Sequence, residues 1–333
     1  MSVTDALLPF LEAQLGDQAD VRLEGEVRRS GGGSSKENWA FDASWLCSGN
    51  RSTSALLLRR DPEAGVVDST TATEFALLQA LEGTPVPSPR VRWLDADGSW
   101  FDRPAMVVDR AQGSASRAAL RESDPLGLGT DGQVRLATEV ADVLAQVHTL
   151  DVAATGLDRV LADPGPDPAA AELGRWEREL DAVELEPQLE LRWALRWLHA
   201  HLPPPAAVGL VHGDLRPANV LVSAGRLELL LDWELAHLGD PVDDLGWFTC
   251  RVYAREHAVP GAFSTADFVN RYAERMGVDV DGTRLHFWQV LSAFRLAVIA
   301  LTGVRNFCES TTTRPAAPQD ALLRTVLRAV GDA

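Results

Sequence analysis

The spacing of apolar positions changes several times along the chain, and each change marks an element. Val3, Leu7, Leu8, Phe10, Leu11 and Leu15 recur at helical spacing, which predicts an amphipathic helix over residues 3–15. Residues 21–60 read as three strands: alternation over 21–27 and 39–46, then an apolar run over 55–58 that ends in Arg59 and Arg60. Helical spacing returns over 70–82, with Phe75, Leu78 and Leu81 on one apolar face. The proline-rich piece 84–89 is a stiff extended connection, and strands follow at 91–94 and 105–108 around an Asp95-Ala96-Asp97-Gly98 turn. Beyond this point the pattern is mainly helical. Val134, Leu136, Val140, Val143, Leu144 and Val147 predict a helix over 131–150, in which His148 is a structural residue, and 158–170 reads as loop. Trp176, Trp193 and Trp197 belong to helix packing over 176–202, which Pro203, Pro204 and Pro205 bring to a stop. Helices are also predicted over 281–305 and 318–330.

Between these helices lies the stretch that carries chemistry. His212-Gly213-Asp214-Leu215-Arg216-Pro217-Ala218-Asn219 runs into a short apolar segment at 220–222. A turn, Ser223-Ala224-Gly225, and a second apolar segment at 227–231 follow, and then Asp232-Trp233-Glu234. A hairpin built this way brings Asn219 and Asp232 to the same end, just past the loop holding Asp214. Magnesium takes oxygen ligands and is commonly held by one or two protein groups plus substrate phosphates. Asn219 and Asp232 could supply those groups, leaving Asp214 to accept a proton from a hydroxyl. The spacing from Asp214 to Asn219, with Asp232 beyond, matches the catalytic apparatus of kinases.

His-Gly-Asp-x-x-x-x-Asn followed by Asp-Trp-Glu resembles the aminoglycoside phosphotransferase family, which also holds choline-kinase relatives and shares the protein-kinase fold. The resemblance implies Asp214 as the catalytic Asp and Asn219 and Asp232 as magnesium ligands. It gives weight to Gly31, Gly32, Gly33 and Ser34, which look like the family's phosphate loop. By themselves these are an ordinary flexible turn, without the Gly-Lys-Ser/Thr ending of a P-loop. Lys36, just beyond, either touches a phosphate or faces water. Arg59 stands where the family has its nucleotide-binding lysine or, in this branch, an arginine. Arg offers a planar fork to phosphate oxygens. Arg60 points to the opposite face of the strand, so a one-residue slip would exchange the two. Glu74 is the helix acid that would steady Arg59. The backbone of Val107 to Asp109 would hold the nucleobase. The Asp240-Pro241-x-x-Asp244 signature implies a brace beneath the catalytic loop, which His212 also orients. Asp240 is expected to cap that helix, with Pro241 at its first position. Phe294 to Ile299 and Gly303 to Arg305 resemble the branch that includes domains fused to acyl-CoA dehydrogenases.

Composition narrows the reading. The chain has 333 residues, 46% hydrophobic and 24% charged, the balance of an ordinary globular protein. A net charge of −17 argues against nucleic acid and weakly favours cationic substrates. Cys47, Cys250 and Cys308 make neither a disulfide framework nor a zinc site, so a reducing, cytoplasmic setting is expected. Residues 1–20 lack the basic start of a signal peptide, and the apolar stretch near 296–304 is too short to cross a bilayer, so no membrane partner is expected.

The expectation is therefore an α+β, protein-kinase-like fold in two lobes. Residues 1–110 form a nucleotide-binding lobe with an antiparallel sheet and one helix. Residues 111–333 form a mainly helical catalytic lobe. The expected reaction moves the γ-phosphoryl group of ATP, or GTP, to a small-molecule hydroxyl, with Mg2+ as cofactor. Arg216, two residues past Asp214, would stabilise charge on the transferring group. The sequence does not specify the acceptor; one candidate is an aminoglycoside or amino sugar. The alternatives are a hydroxyacyl-CoA, with Arg251, Arg255, Arg295 and Arg305 as candidates for its phosphates, and a catalytically silent binding protein. The intact Asp214, Asn219 and Asp232 set argues against the last.

Overall fold

The structure is a computed structural model that describes residues 2–30, 36–63, 70–309 and 319–331. The chain divides into two compact units, Met1–Gly83 with Ser88–Gln112, and Thr84–Pro87 with Gly113–Ala333.

The first unit opens with α1 (Val3–Leu15), whose first turn is capped by the Ser2 hydroxyl accepting from the Asp5 amide at 3.2 Å. Three long strands follow: β1 (Arg22–Ser30), β2 (Glu37–Cys47) and β3 (Asn50–Arg60). Ser48 and Gly49 join β2 to β3 with φ of 51° and 82°, the two left-handed residues of a tight hairpin turn. That turn starts β3 five residues before its apolar run, in the polar stretch Asn50 to Ser54, where no hydrophobic alternation announces a strand. After α2 (Thr71–Leu81), β4 (Val91–Asp95) and β5 (Ala105–Asp109) complete an antiparallel sheet in the order β1-β2-β3-β5-β4. One face of this sheet buries Trp39, Phe41, Ala43, Leu56 and Leu58 against Leu7, Phe10 and Leu11 of α1. Phe10 meets Phe101 and Trp100 edge-on at 5.0 and 5.8 Å. The buried face of α2 is Thr71, Glu74, Leu77, Leu78 and Leu81, and Phe75 lies off it.

The second unit contains α3 (Gly129–His148), α4 (Val152–Thr155), α5 (Pro168–Val183) and α6 (Leu189–Ala200). Asp167 caps α5, so the predicted loop ends three residues earlier than expected. Trp176 is buried, but Trp193 on α6 is 48% exposed. Next come β6 (Gly209–Val211), the hairpin β7 (Val220–Ser223) and β8 (Arg226–Leu230), and β9 (His237–Gly239), which pairs with β6. Four helices follow: α7 (Val242–Thr249), α8 (Thr265–Met276), α9 (Gly282–Cys308) and α10 (Gln319–Gly331). The start of α7 is one residue later than predicted: Pro241 occupies the cap position, and Asp240 Oδ1 accepts from the Val242 amide at 3.0 Å. Helix α8 was not foreseen, although Ser264 and Asp267 form a reciprocal capping box that is visible in the sequence.

Helix α9 is the axis of this unit. At 27 residues it is long and apolar enough to cross a bilayer, which the short stretch inside it did not suggest. Here 67% of its apolar window is buried against the unit, with α5, α6, α7 and α10 packed around it. Helix α7 comes so close that a Cβ on Gly246 would lie 2.6 Å from the backbone carbonyl carbon of Trp288. Gly246→Ala is therefore expected to lower stability by about 1–3 kcal/mol through overpacking. The check is the urea midpoint, and an unchanged midpoint would mean that α7 and α9 can part without cost.

Candidate active site

In the second unit, the hairpin β7–β8 does what the motif spacing requires. Val220 faces Leu230, and the Leu231 amide donates to the Asn219 carbonyl at 2.8 Å, so Asn219 and Asp232 leave the same end of the strand pair. Asp232 has φ of 64°, a left-handed conformation that a non-glycine residue adopts at a cost and that tends to mark functional positions.

Asp214 is 6% exposed, and three donors surround its carboxylate. Asn219 Nδ2 donates to Oδ2 at 2.7 Å and to the Asp214 carbonyl at 2.9 Å. Arg216 Nε reaches Oδ2 at 3.1 Å, and the Trp247 indole N–H reaches Oδ1 at 3.1 Å. Burial pushes this carboxyl up to about 6; Asp232 adds to the rise, and Arg216 and Asn219 oppose it. Such a group is ionised at neutral pH yet still holds a proton with useful affinity, as a general base needs. Trp247 was missed as a partner; it closes the same Asp-Pro-x-x-Asp segment, but nothing local shows where its indole points.

The loop itself is held from beneath. Asp244 accepts from the amides of His212 and Gly213, each at 2.8 Å. His148 Nε2 meets the same carboxylate at 3.0 Å, and its Nδ1 pairs with the Tyr272 hydroxyl at 2.7 Å. His212 Nδ1 accepts from the Asp214 amide at 3.2 Å, and Nε2 faces the Leu231 carbonyl at 3.1 Å. This assigns the proton to Nε2 of a neutral ring, and burial lowers the ring's proton affinity to match. Gly213 has φ of 81°, and a Cβ there would collide with the Leu235 carbonyl, so only glycine fits.

The residues expected to hold a cation suit one. Asn219 commits its amide nitrogen to Asp214, so its carbonyl oxygen is the atom left for a metal. With the Asp232 carboxylate this makes an oxygen donor pair of the kind that magnesium prefers.

In the first unit, Arg59 Nη1 binds Glu74 Oε1 at 2.6 Å, with Glu74 buried. Glu74 is therefore no solvated helix acid. Arg59 pairs across the sheet with Asn38 and Met106, on the face opposite to Arg60. Arg60 binds Glu37 at 2.6 and 3.0 Å and the Phe101 carbonyl at 2.9 Å, and lies 4.9 Å over the Trp39 ring. Lys36 neither faces water nor lies open to a phosphate. It is 8% exposed, paired with Asp61, 2.8 Å from the Thr71 hydroxyl and 3.7 Å from Glu74 Oε2. Val107 sits within β5 opposite Leu58 and Trp93. The Asp109 amide donates to the Arg90 carbonyl at 2.8 Å, and its carboxylate takes Arg92 at 2.6 and 3.0 Å. Gly31, Gly32, Gly33 and Ser34 lie outside the described residues.

Arg295 corrects another expectation. It is 1% exposed and bound to Asp243 Oδ1 at 2.5 Å and to the Gly213 carbonyl at 3.0 Å, so it cannot serve a phosphate. A buried cation survives only when paired, and these partners come from distant parts of the chain.

A five-stranded sheet with two helices, α1 and α2, in the same unit, and a mainly helical unit with a buried Asp, a following Asn and a second Asp beyond a hairpin, define a kinase-like phosphotransferase. The model of the phosphotransferase enzyme family matches residues 31–278, more than half of the chain, and the chain belongs to that family. Acyl-CoA dehydrogenase family member 10 of Mus musculus is 28% identical over 267 residues, covering 75% of this chain and 24% of that protein. The chain thus spans about a quarter of that relative's length. Among solved structures, a candidate aminoglycoside phosphotransferase from Ralstonia eutropha superposes with a TM-score of 0.72 at 21% identity, over 99% of this chain and 98% of that one. A thermostable mutant of aminoglycoside phosphotransferase APH(4)-Ia, in ternary complex with AMP-PNP and hygromycin B, gives 0.61 at 14% identity, covering 98% of each chain. At these identities the likeness to the two solved structures is one of fold.

The carboxyl of Asp214 is expected to titrate near 6, and Arg216→Met to move that value upward by removing a neighbouring cation. Its folded value lies above the unfolded one, so this group's contribution to stability falls as pH rises from about 4 towards 6. Carbon-13 NMR of the Asp214 carboxyl reads both effects; a titration at the ordinary value, or a downward move in the variant, would contradict them.

Proposed function

We propose that this phosphotransferase transfers the γ-phosphoryl group of ATP, or GTP, to a hydroxyl of a small molecule, with an aminoglycoside or amino sugar as acceptor. The observation that carries this reading is Asp214, buried among three donors with its carboxyl raised to about 6. An acceptor hydroxyl placed beside it gives up its proton to the carboxylate. The hydroxyl oxygen bonds to the γ-phosphorus as the bond to the bridging oxygen breaks, and ADP (or GDP) leaves. In such reactions the transition state is loose, so positioning and charge neutralisation carry most of the rate.

Each remaining residue has a proposed part. Asn219 and Asp232 would hold Mg2+, which when bound supplies charge neutralisation on the phosphates. Arg59, steadied by Glu74, contacts donor phosphates, as does the backbone of Gly31 to Ser34. Arg216 stabilises charge on the group in transfer. The backbone at Val107 to Asp109 holds the nucleobase; since the Asp109 amide is engaged by Arg90, its carbonyl is the group for that contact. The AMP-PNP and hygromycin B in the APH(4)-Ia complex support a nucleotide donor and an amino-sugar acceptor. The net charge of −17 suits a cationic acceptor. A hydroxyacyl-CoA is the second reading, favoured by the likeness to acyl-CoA dehydrogenase family member 10. Arg295 is buried and drops out as a contact for its phosphates, while Arg251 and Arg255 are exposed. The proposed compartment is the cytoplasm.

Asp214→Ala is expected to cut transfer of labelled γ-phosphate by about 10²–10⁴ while nucleotide still binds. The assay is a screen of aminoglycosides, amino sugars, choline-like alcohols and hydroxyacyl-CoAs; wild-type transfer in the variant removes Asp214 from its role. Arg59→Ala should weaken ATP binding by calorimetry more than Arg60→Ala, and the reverse order would reassign the phosphate contact. In the same experiment, Asp232→Ala should abolish the gain in affinity that magnesium gives, and binding that still responds to the metal takes Asp232 off the ligand set.

A further inference from the structure

Behind the catalytic loop lies a second cluster of ionisable groups that the reaction does not use. Glu172 on α5, His237 on β9, Asp243 on α7 and Arg295 on α9 meet there. Arg295 ties the cluster to the site in two ways. Its Nη2 donates to the Gly213 carbonyl, next to Asp214, at 3.0 Å. Its guanidinium lies 4.8 Å over the ring of Trp247, whose indole N–H binds Asp214 Oδ1.

His237 closes the other side. Its Nδ1 lies 3.0 Å from the Leu235 carbonyl, which can only accept, so Nδ1 carries a proton. Its Nε2 faces Asp243 Oδ2 at 3.4 Å and Glu172 Oε2 at 3.8 Å. Both Nε2 and Asp243 Oδ2 are buried without a hydrogen bond. A neutral ring in this place would aim a lone pair at two carboxylates, in a medium where such repulsion is poorly screened. Gly239 leaves the room that the ring occupies, because a Cβ there would lie 2.9 Å from it.

Only a positive charge on or beside Nε2 removes the conflict. Glu172, His237 and Asp243 are close enough together to hold a divalent ion. Arg295 already sits on Asp243 and 3.9 Å from Glu172, and Arg175 lies 3.7 Å from Glu172, so one added charge fits better than two. A proton is the smaller addition. We propose that His237 is a positioning residue: as an imidazolium it fixes Asp243, and through Arg295 it holds the Gly213 carbonyl and Trp247 that align Asp214.

The charged groups facing His237 are Glu172 and Arg175 from α5, Asp243 from α7 and Arg295 from α9; β6, its strand partner, presents only Gly209, Leu210 and Val211. Burial works against the proton, but the two carboxylates outweigh it, and the ring's proton affinity is raised. The same contacts hold Glu172 ionised, its carboxyl drawn down to about 2 against the pull of burial. With a folded value above the unfolded one, the stabilising effect of His237 is complete below about 6.5 and disappears as pH rises through the folded value.

The test follows nitrogen-15 NMR of the wild-type chain from pH 5.5 to 9.5. At pH 6.5 most of the His237 rings should carry a proton on both nitrogens. The ring should lose its proton above pH 6.5, and the amides of His212, Gly213 and Asp214 should shift with the same midpoint. Asp214 itself produces a step near 6, which His237→Gln should leave in place. His237→Gln should abolish the upper step in the loop amides. A ring mostly neutral at pH 6.5, loop amides that ignore its midpoint, or a stoichiometric divalent metal that Asp232→Ala retains and His237→Gln loses would overturn the proposal. The alignment of a catalytic base rests on the proposed kinase reading, but these measurements need neither nucleotide nor acceptor. If that reading fails, the NMR still decides whether His237 governs the loop. Where phosphate transfer is measurable, kcat should fall at the His237 midpoint while the KM for ATP holds, and His237→Gln should lose that limb; an identical profile in the variant counts against the proposal.

Discussion

One carboxylate carries the catalytic loop. Asp244 accepts the amides of both His212 and Gly213 from below, and so fixes the backbone immediately before Asp214. Two buried backbone donors must each find an acceptor, and the Asp244 carboxylate supplies it to both. The loop therefore has one position, set by the N-terminal turn of α7. His148 and Tyr272, from α3 and α8, fix the carboxylate in turn. Asp214 is presented by a frame anchored in three helices rather than by a free loop, which is how a buried group with a raised proton affinity stays in place.

The same frame explains why α7 and α9 pack so tightly. Arg295 reaches from α9 to the Gly213 carbonyl, and Trp288 from α9 donates to Asp240 Oδ2 at 2.8 Å, just before α7 begins. Arg284 joins the same Asp240 oxygen at 2.7 Å. These contacts are charge-assisted and largely shielded from water, so they are stronger than their surface equivalents. They tie the longest helix of the second unit to both ends of the segment that carries Asp214 and Asp232.

Legibility in the sequence follows distance along the chain. Asp214, Asn219 and Asp232 were readable because one short hairpin brings them together, with the turn at Ser223 to Gly225 marked by its own residues. The pairing of Arg59 with Glu74 came from resemblance; the rotation of α2 could not be read, because counting apolar residues put Phe75 on the inner face. The true inner face includes Glu74, a polar residue buried by its ion pair, next to Leu77 and Leu78. Lys36 was open to two readings and met neither, since Asp61 and Thr71 lie 25 and 35 residues away. Arg295 was misread for the same reason, with its partners 52 and 82 residues distant. Buried ion pairs are the part of a fold that local pattern shows least, because each partner alone looks like a surface residue.

Helix α1 has a practical corollary. The match to the family model begins at residue 31, and trimming an expression clone to that boundary would look harmless. It would also strip Leu7, Phe10 and Leu11 from Trp39, Phe41, Leu56 and Phe101, and remove β1 from the edge of the sheet. The shortened polypeptide would display a sticky aromatic surface and a bare strand flank, the two features that drive clumping in the test tube. Recombinant work on this protein and on others with the same leading helix is best begun upstream of it.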